Sequence, residues 1–131
     1  MRWKLSPLLG AIALMCASCA APHIAQPDLG TQAESDPLAG FYGNTLRIEV
    51  EDYRGLRFFE PDHTYRDLVR GKTVRGSWTV EGDRICTQSS GAARFCNLGL
   101  GKTAGEMWLD RDPYTGNQVT FTLDAGRKAD R

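Results

Sequence analysis

Apolar and polar side chains alternate along much of the chain from residue 40 onward, and this pattern predicts β-strands. The clearest run covers residues 119–124, where valine, phenylalanine and leucine alternate with threonine and aspartate. Residues 46–51 repeat the pattern, with Leu46, Ile48 and Val50 on one face and charged side chains on the other. A strict period of two is typical of strands that have one buried and one solvent-facing side.

Turn-forming residues separate these runs at intervals of about 8 to 12 positions, the spacing of small sandwiches and barrels. Examples are Gly55, Gly71, the segment 81–83 and the segment 112–117. We therefore predict an all-β fold over residues 40–126, a small antiparallel barrel or sandwich of about eight short strands. Closure into a barrel would remove the exposed strand edges that a two-sheet sandwich keeps.

The first 21 residues have the layout of a secretory signal. Arg2 and Lys4 precede the apolar stretch 5–15, and small residues follow at 17–21. The apolar stretch is about 11 residues long, whereas a helix that spans a bilayer needs about 20. The sequence thus predicts export, and a buried N-terminal helix is the alternative.

Cys19 lies within a segment of small residues, 17–22, that resembles the lipobox of bacterial lipoproteins, where the cysteine is acylated and becomes the new N-terminus. The resemblance implies a periplasmic lipoprotein held at the outer membrane, with the acyl anchor as its membrane contact. Ordinary signal cleavage after Ala21 is the alternative. Residues 22–39 contain prolines and no apolar period, so we expect a flexible tether, and we expect residues 127–131 to form a polar tail.

Cys86 and Cys96 remain in the domain after removal of the export segment. An even number of cysteines in an oxidising compartment predicts a disulfide. A loop of about 11 residues closed in this way stabilises the fold by about 2.5–3 kcal/mol in the chain-entropy model. A redox pair, which typically has two residues between its thiols, and a zinc site, which needs further ligands, are the alternatives.

Charge gives little indication of a partner. The chain has 16 basic and 16 acidic residues, and loss of Arg2 and Lys4 with the signal leaves 14 against 16, a net charge near −2. Because no basic patch stands out, we do not expect nucleic acid as a partner.

Two motifs suggest chemistry but fit structural roles better. His63 follows Asp62 between two strand-like runs, where aspartate and a residue tolerant of positive φ are ordinary hairpin residues. The segment 99–103 resembles the end of a phosphate-binding loop, yet Cys96 stands where that motif needs glycine. We therefore predict a turn at His63 and no nucleotide site.

Two acidic segments also carry residues that could hold a metal ion or catalyse a reaction. The segment 110–117 carries oxygen ligands suited to calcium, but Gly116 is out of step for an EF-hand and Pro113 interrupts the loop. The acidic side chains of 49–62 include pairs of the kind used in glycoside hydrolysis, although alternation sends Glu49 to the solvent side. We predict no catalytic residue, no metal ligand and no cofactor.

Trp108 and Tyr114 are the candidates for a binding surface. Trp108 alternates with Met107 and Leu109, so one apolar side of this strand faces outward, and large exposed aromatic residues often mark binding surfaces. Tyr114 lies in the turn that follows this strand. Trp78 is predicted to lie in the core.

A pattern of turn glycines, core aromatic residues and the cysteine pair covers about residues 41–127 and resembles a group of short exported proteins from alphaproteobacteria. The pattern consists of Tyr42-Gly43-Asn44-Thr45, Phe59, Asp62-His63-Thr64-Tyr65, Gly76-Ser77-Trp78, Asp83-Arg84-Ile85-Cys86, Cys96, Trp108, Phe121 and Gly126-Arg127. The resemblance implies the fold and transfers no activity and no site. In outline the strands and single disulfide are also similar to small secreted protease inhibitors with an eight-stranded barrel.

These features predict a non-enzymatic binding domain of the cell envelope, which acts on a protein or small ligand through a face or the mouth of a barrel. One alternative is a periplasmic inhibitor of a protease or lysozyme-like hydrolase, with an ordered segment of 22–39 plugging a cleft. The other is a small-ligand carrier of lipocalin type. A carrier requires an open lumen, whereas we expect Trp78, Phe121 and their neighbours to fill this barrel.

Overall fold

The computed structural model describes residues 35–129, which form eight β-strands and one short 3-10 helix, Ala39–Phe41. The strands are β1 (Thr45–Val50), β2 (Tyr53–Phe59), β3 (Thr64–Val69), β4 (Lys72–Glu81), β5 (Arg84–Ser89), β6 (Phe95–Leu98), β7 (Met107–Arg111) and β8 (Gln118–Asp124). The all-β prediction is confirmed. The signal segment, the lipobox at Cys19 and residues 22–34 of the tether lie outside the described residues. No helix within 35–129 is both long and apolar enough to cross a membrane.

All eight strands belong to one antiparallel sheet in the order β6-β5-β4-β3-β2-β1-β8-β7. Strands β1 to β6 follow one another as a meander because tight turns join them. In the turn between β2 and β3, His63 adopts a φ of 66°, which confirms the prediction of a turn at this residue. The last strand, β8, returns to pair with β1, and β7 pairs with β8. Strands β6 and β7 are therefore the two ends of the row.

The two end strands meet at a seam that side chains close. The carboxylate of Asp110 accepts a hydrogen bond from the backbone N–H of Leu98 at 2.8 Å. The indole N–H of Trp108 donates to the carbonyl oxygen of Leu98 at 3.0 Å. Arg84 Nη1 lies 3.4 Å from the same Asp110 carboxylate. These contacts bridge the gap between β6 and β7 and give a nearly closed barrel, the first of the two predicted architectures.

The cysteine pair lies where the sequence predicted, across two neighbouring strands. Cys86 in β5 is the register partner of Cys96 in β6, and their sulfur atoms are at bonding distance. The bond fastens β6, which pairs with a strand on one side only, to the rest of the sheet. This position makes the disulfide a support for the strand that forms one side of the seam.

One end of the barrel is filled by a plug, defined here as residues 38–41. Leu38 and Phe41 are almost completely buried, and the ring of Phe41 meets those of Phe59 and Trp108 edge to face at 5.4 and 6.2 Å. The backbone of the plug lies against the loop between β6 and β7, since a Cβ on Gly40 would come within 2.1 Å of a backbone oxygen there. The predicted boundary of the tether at residue 39 is therefore wrong, because the folded domain already includes Leu38.

The C-terminal boundary also needs correction. Arg127 Nη2 pairs with Glu60 at 2.8 Å and its guanidinium lies over the ring of Phe58. The backbone N–H of Lys128 donates to Thr45 Oγ1 at 2.9 Å. The beginning of the predicted polar tail is thus bound to the outer wall of the barrel.

Candidate functional site

The end of the barrel opposite the plug is ringed by four connections, at residues 51–52, 70–71, 90–94 and 112–117. Two cavities of about 500 and about 340 Å³ lie here. They share three wall residues, Tyr53, Arg57 and Phe95. We call these two adjoining cavities the cup. Their volumes fall in the range of small-molecule sites.

The floor of the cup is a buried ion pair between two neighbouring strands. Arg57 in β2 and Asp67 in β3 are register partners, and their side chains are only 10% and 11% exposed. Arg57 Nε and Nη2 each donate to one oxygen of Asp67 at 2.7 Å. Arg57 Nη1 donates to Thr87 Oγ1 at 3.0 Å. The guanidinium also lies over the ring of Tyr65 at 4.5 Å, so it rests on the aromatic core below.

Asp67 holds the guanidinium of Arg57 in its charged form. Burial alone would lower the pKa of Arg57, but the hydrogen bonds and negative charge of Asp67 outweigh burial and raise the pKa above its usual value. A bidentate arginine–carboxylate pair of this kind is among the stronger charge-assisted contacts. The floor therefore presents a fixed, permanently charged guanidinium to the cup.

Tyr53 leans over the floor because β2 has a glycine two positions further along. A Cβ on Gly55 would lie 2.8 Å from the Tyr53 hydroxyl oxygen, so only glycine leaves space for this ring position. Burial, assisted by the charge of Asp67, raises the pKa of the Tyr53 hydroxyl. Tyr53 is therefore a neutral hydrogen-bond donor at physiological pH.

The remaining walls of the cup are largely apolar. The larger cavity is lined by valine, alanine and phenylalanine side chains from β3, β4 and β6 and from the connection at 90–94, and the smaller one by aliphatic side chains of β1 and β8. The members of the two sets are Val69, Val74, Ala92, Ala93, Phe95, Ile48, Val50 and Val119. An apolar wall around a few polar groups is the usual composition of a small-ligand site.

The expectation that Trp78 and Phe121 fill the barrel holds for one end only. Both are buried in the core, where Trp78 meets Phe59 at 6.2 Å and Phe121 stacks on Trp108 at 5.5 Å. The aromatic core stops at Tyr65 and Arg57, and the cup lies beyond them. The barrel is consequently filled at the plug and open at the other end.

Neither of the two residues predicted to form a binding surface lines the cup. Trp108 is only 9% exposed and faces inward, so its assignment to an exposed surface is wrong; the outward residues of β7 are Met107 and Leu109, at 65% and 52% exposed. Tyr114 is 64% exposed, and its hydroxyl donates to the carbonyl oxygen of Arg94. Tyr114 thus links two connections across the outside of the seam.

The other candidate residues have structural roles in the described part of the chain. The imidazole of His63 stacks on the indole of Trp78 with ring centroids 4.1 Å apart, at the end of the barrel that holds the plug. In the loop after β7, Asp112 Oδ1 accepts from the backbone N–H of Tyr114 at 2.8 Å. Within residues 35–129 no group of three or more histidine, cysteine, aspartate or glutamate side chains is arranged to hold a metal ion.

Sequence reasoning missed three polar residues of the cup, Arg57, Asp67 and Tyr53. A signal for two of them exists: the turn at 60–63 sets the register of β2 and β3, and that register puts Arg57 opposite Asp67. Opposite charges directly across an antiparallel pair attract each other on either face of a sheet. The pairing of Arg57 with Asp67 could therefore have been predicted, but its position inside the barrel could not.

Comparison of the chain with protein-family models, curated proteins and solved structures finds no match. The geometry of the cup is thus the available basis for inferring a function.

Proposed function

We propose that this protein is a non-enzymatic binding domain of the cell envelope that takes a small ligand into the cup. The observation that carries the proposal is the contrast between the two ends of the barrel. One end is packed with aromatic rings, while the other encloses two adjoining cavities above a buried polar floor. This proposal joins the predicted envelope binding domain to the predicted small-ligand carrier.

Binding suits this site better than catalysis because the carboxylate of its floor is held by hydrogen bonds rather than free to react. Both oxygens of Asp67 accept hydrogen bonds from Arg57, and Thr87 Oγ1 accepts another. A general acid or base needs a carboxyl group free to exchange a proton with a substrate. The floor instead supplies fixed hydrogen-bond donors, which orient a ligand.

Export is the second part of the proposal and depends on the sequence. The signal-like residues 1–21, with the lipobox-like segment around Cys19, favour a lipoprotein whose barrel stands off the membrane on a short tether. An envelope protein held in this way would present its cup to the periplasm.

The inhibitor alternative depended on residues 22–39 plugging the cleft of another protein. Leu38, near the end of that segment, is completely buried in this barrel, and the carbonyl of Pro37 accepts a hydrogen bond from Gly101 at 2.9 Å. This part of the segment already serves its own domain. The observation favours the small-ligand proposal.

Valine-to-tryptophan substitutions at the two ends of β4 test the proposal. Val74 lines the larger cavity and Val80 lies on the same strand toward the other end, and their exposures are similar at 41% and 37%. With anilinonaphthalene sulfonate as the fluorescent probe, we expect saturable binding to the wild type. Val74→Trp fills the cavity and should weaken binding by about tenfold, or about 1.4 kcal/mol.

Val80→Trp is the matched control and should bind the probe as the wild type does. Circular dichroism of both variants checks that the barrel is intact. Absence of saturable binding to the wild type, or equal losses in the two variants, would contradict a site in the cup.

A further inference from the structure

The guanidinium at the floor of the cup has more donors than it uses. An arginine side chain carries five N–H groups. Arg57 uses three of them, two toward Asp67 and one toward Thr87. One N–H on Nη1 and one on Nη2 have no acceptor among residues 35–129. These two N–H groups can therefore bind an acceptor from water or from a ligand.

A second donor belongs to a residue that lines the same cavities. Tyr53 lines both of them, as does Arg57. The Tyr53 hydroxyl forms no hydrogen bond with another residue of the described chain. Tyr53 stays protonated because burial raises its pKa. Tyr53 and Arg57, four positions apart in β2, thus offer unused hydrogen-bond donors to the cup.

The acceptors of the floor already have partners. Each oxygen of Asp67 accepts from Arg57 at 2.7 Å. The hydroxyl oxygen of Thr87 accepts from Arg57, and its proton lies toward the carbonyl of Phe95 at 3.3 Å. Because each of these acceptors is hydrogen-bonded while some donors are unused, the floor favours a ligand group that accepts hydrogen bonds.

The charges of the cup favour an anionic acceptor. Three cationic side chains line the two cavities, Arg57, Arg70 and Lys72, against two anionic ones, Asp67 and Asp112. The difference is one positive charge. Because the charge of Asp67 neutralises that of Arg57, the excess positive charge lies at the mouth of the cup, where Arg70 and Lys72 attract an approaching anion.

The walls above the floor select the rest of the ligand. They present aliphatic side chains from four strands, Ile48, Val50, Val69, Val74 and Val119, with the ring of Phe95 between the two cavities. Such walls give a hydrocarbon chain apolar contact on several sides.

We propose that the cup binds an aliphatic monocarboxylate, with its carboxylate on the free Arg57 N–H groups and the Tyr53 hydroxyl, and its hydrocarbon chain along the valine-lined walls toward the mouth. This inference rests on the proposed function and adds the chemical class of the ligand. The carboxylate accepts hydrogen bonds from the three unused donors, and the hydrocarbon chain packs against the apolar walls.

Three probes of equal chain length distinguish the contribution of the head group to binding from that of the hydrocarbon chain. Decanoate, decan-1-ol and decylamine are titrated calorimetrically into the protein near pH 7, below their micelle concentrations, where the acid is ionised and the amine protonated. We expect decanoate to bind at least about tenfold more tightly than the alcohol, and the amine to bind most weakly.

Tyr53→Phe removes one donor from the floor and leaves the ring in place. It should weaken decanoate binding by about tenfold and bring the affinity closer to that of decan-1-ol. Tyr42→Phe, which removes a tyrosine hydroxyl bonded to Asp36 near the plug, is the matched control and should leave decanoate binding unchanged.

The outcomes distinguish this inference from the proposed function. Equal affinities for the three probes, or tighter binding of the amine, overturn the assignment of a carboxylate and leave a ligand-binding cup. Unchanged decanoate affinity in Tyr53→Phe also overturns the assignment. Failure of all three probes, together with failure of the anionic dye, overturns both proposals.

Discussion

Replacing Trp108 with alanine is expected to lower the free energy of unfolding by about 3–5 kcal/mol. The indole stacks on Phe121, meets Phe41 edge to face, and donates across the seam to the carbonyl of Leu98 at 3.0 Å. Alanine would leave a cavity beside the plug and an unpaired carbonyl at the seam. Equilibrium unfolding in urea measures the loss.

Trp108→Phe separates the two contributions, since it keeps most of the ring contact and removes the seam hydrogen bond. We expect it to cost about 1–2 kcal/mol. Leu109→Ala, the next residue and 52% exposed, should change stability by less than about 0.5 kcal/mol. If Leu109→Ala costs as much as Trp108→Ala, the inward position of Trp108 is wrong.

Asp67→Ala is the second substitution with a large expected effect, a loss of about 3 kcal/mol in the free energy of unfolding. It removes two of the three hydrogen bonds of Arg57 and leaves a buried guanidinium without its counter-charge. We place the effect at the lower end of the range for broken buried pairs because the cup admits water to Arg57. Urea unfolding of wild type and variant measures it.

Two controls show whether the cost comes from the unpaired charge. Asp124→Ala breaks the Arg47 pair on the outer wall, where the side chains are 36% and 29% exposed, and should cost less than about 1 kcal/mol. The double change Arg57→Met with Asp67→Leu removes both charges and should be far less harmful than Asp67→Ala alone. Equal losses in Asp67→Ala and Asp124→Ala would contradict a buried pair.

The parts of the fold that alternation defines could be predicted well. The run 119–124 lies in strand β8, with Val119, Phe121 and Leu123 buried, and the cysteine pair lies in register across β5 and β6. Both follow from local rules: a period of two sets the face, and a short connection sets the pairing. Nothing distant in the chain was needed to obtain them.

The residues of β2 that face the barrel interior could not be predicted in this way, because one of them is a buried polar side chain. Arg57 faces the core with Phe59, while Phe58 faces outward and is shielded by the guanidinium groups of Arg66 and Arg127, 4.8 and 5.2 Å from its ring. A simple apolar and polar pattern assigns the opposite faces. The cup therefore depends on tertiary contacts that the local pattern does not contain.

The plug was missed for a different reason. Residues 38–41 form a short apolar stretch directly after Pro37, too brief to show any period. Their burial depends on a barrel end that exists only once eight strands have closed at the seam formed by Asp110, Trp108 and Leu98. A four-residue segment can be assigned to the core only when the cavity into which it packs is known.

The end of the barrel opposite the plug is proposed to be a ligand-binding cup, and mapping amide NMR shifts during a titration with decanoate would locate the site. We expect saturable shifts at Tyr53, Arg57, Val69, Val74 and Phe95, with little change around Phe41 and His63. Shifts centred on the outer face of β7 at Met107 and Leu109, or no saturable shifts at all, would contradict this proposal.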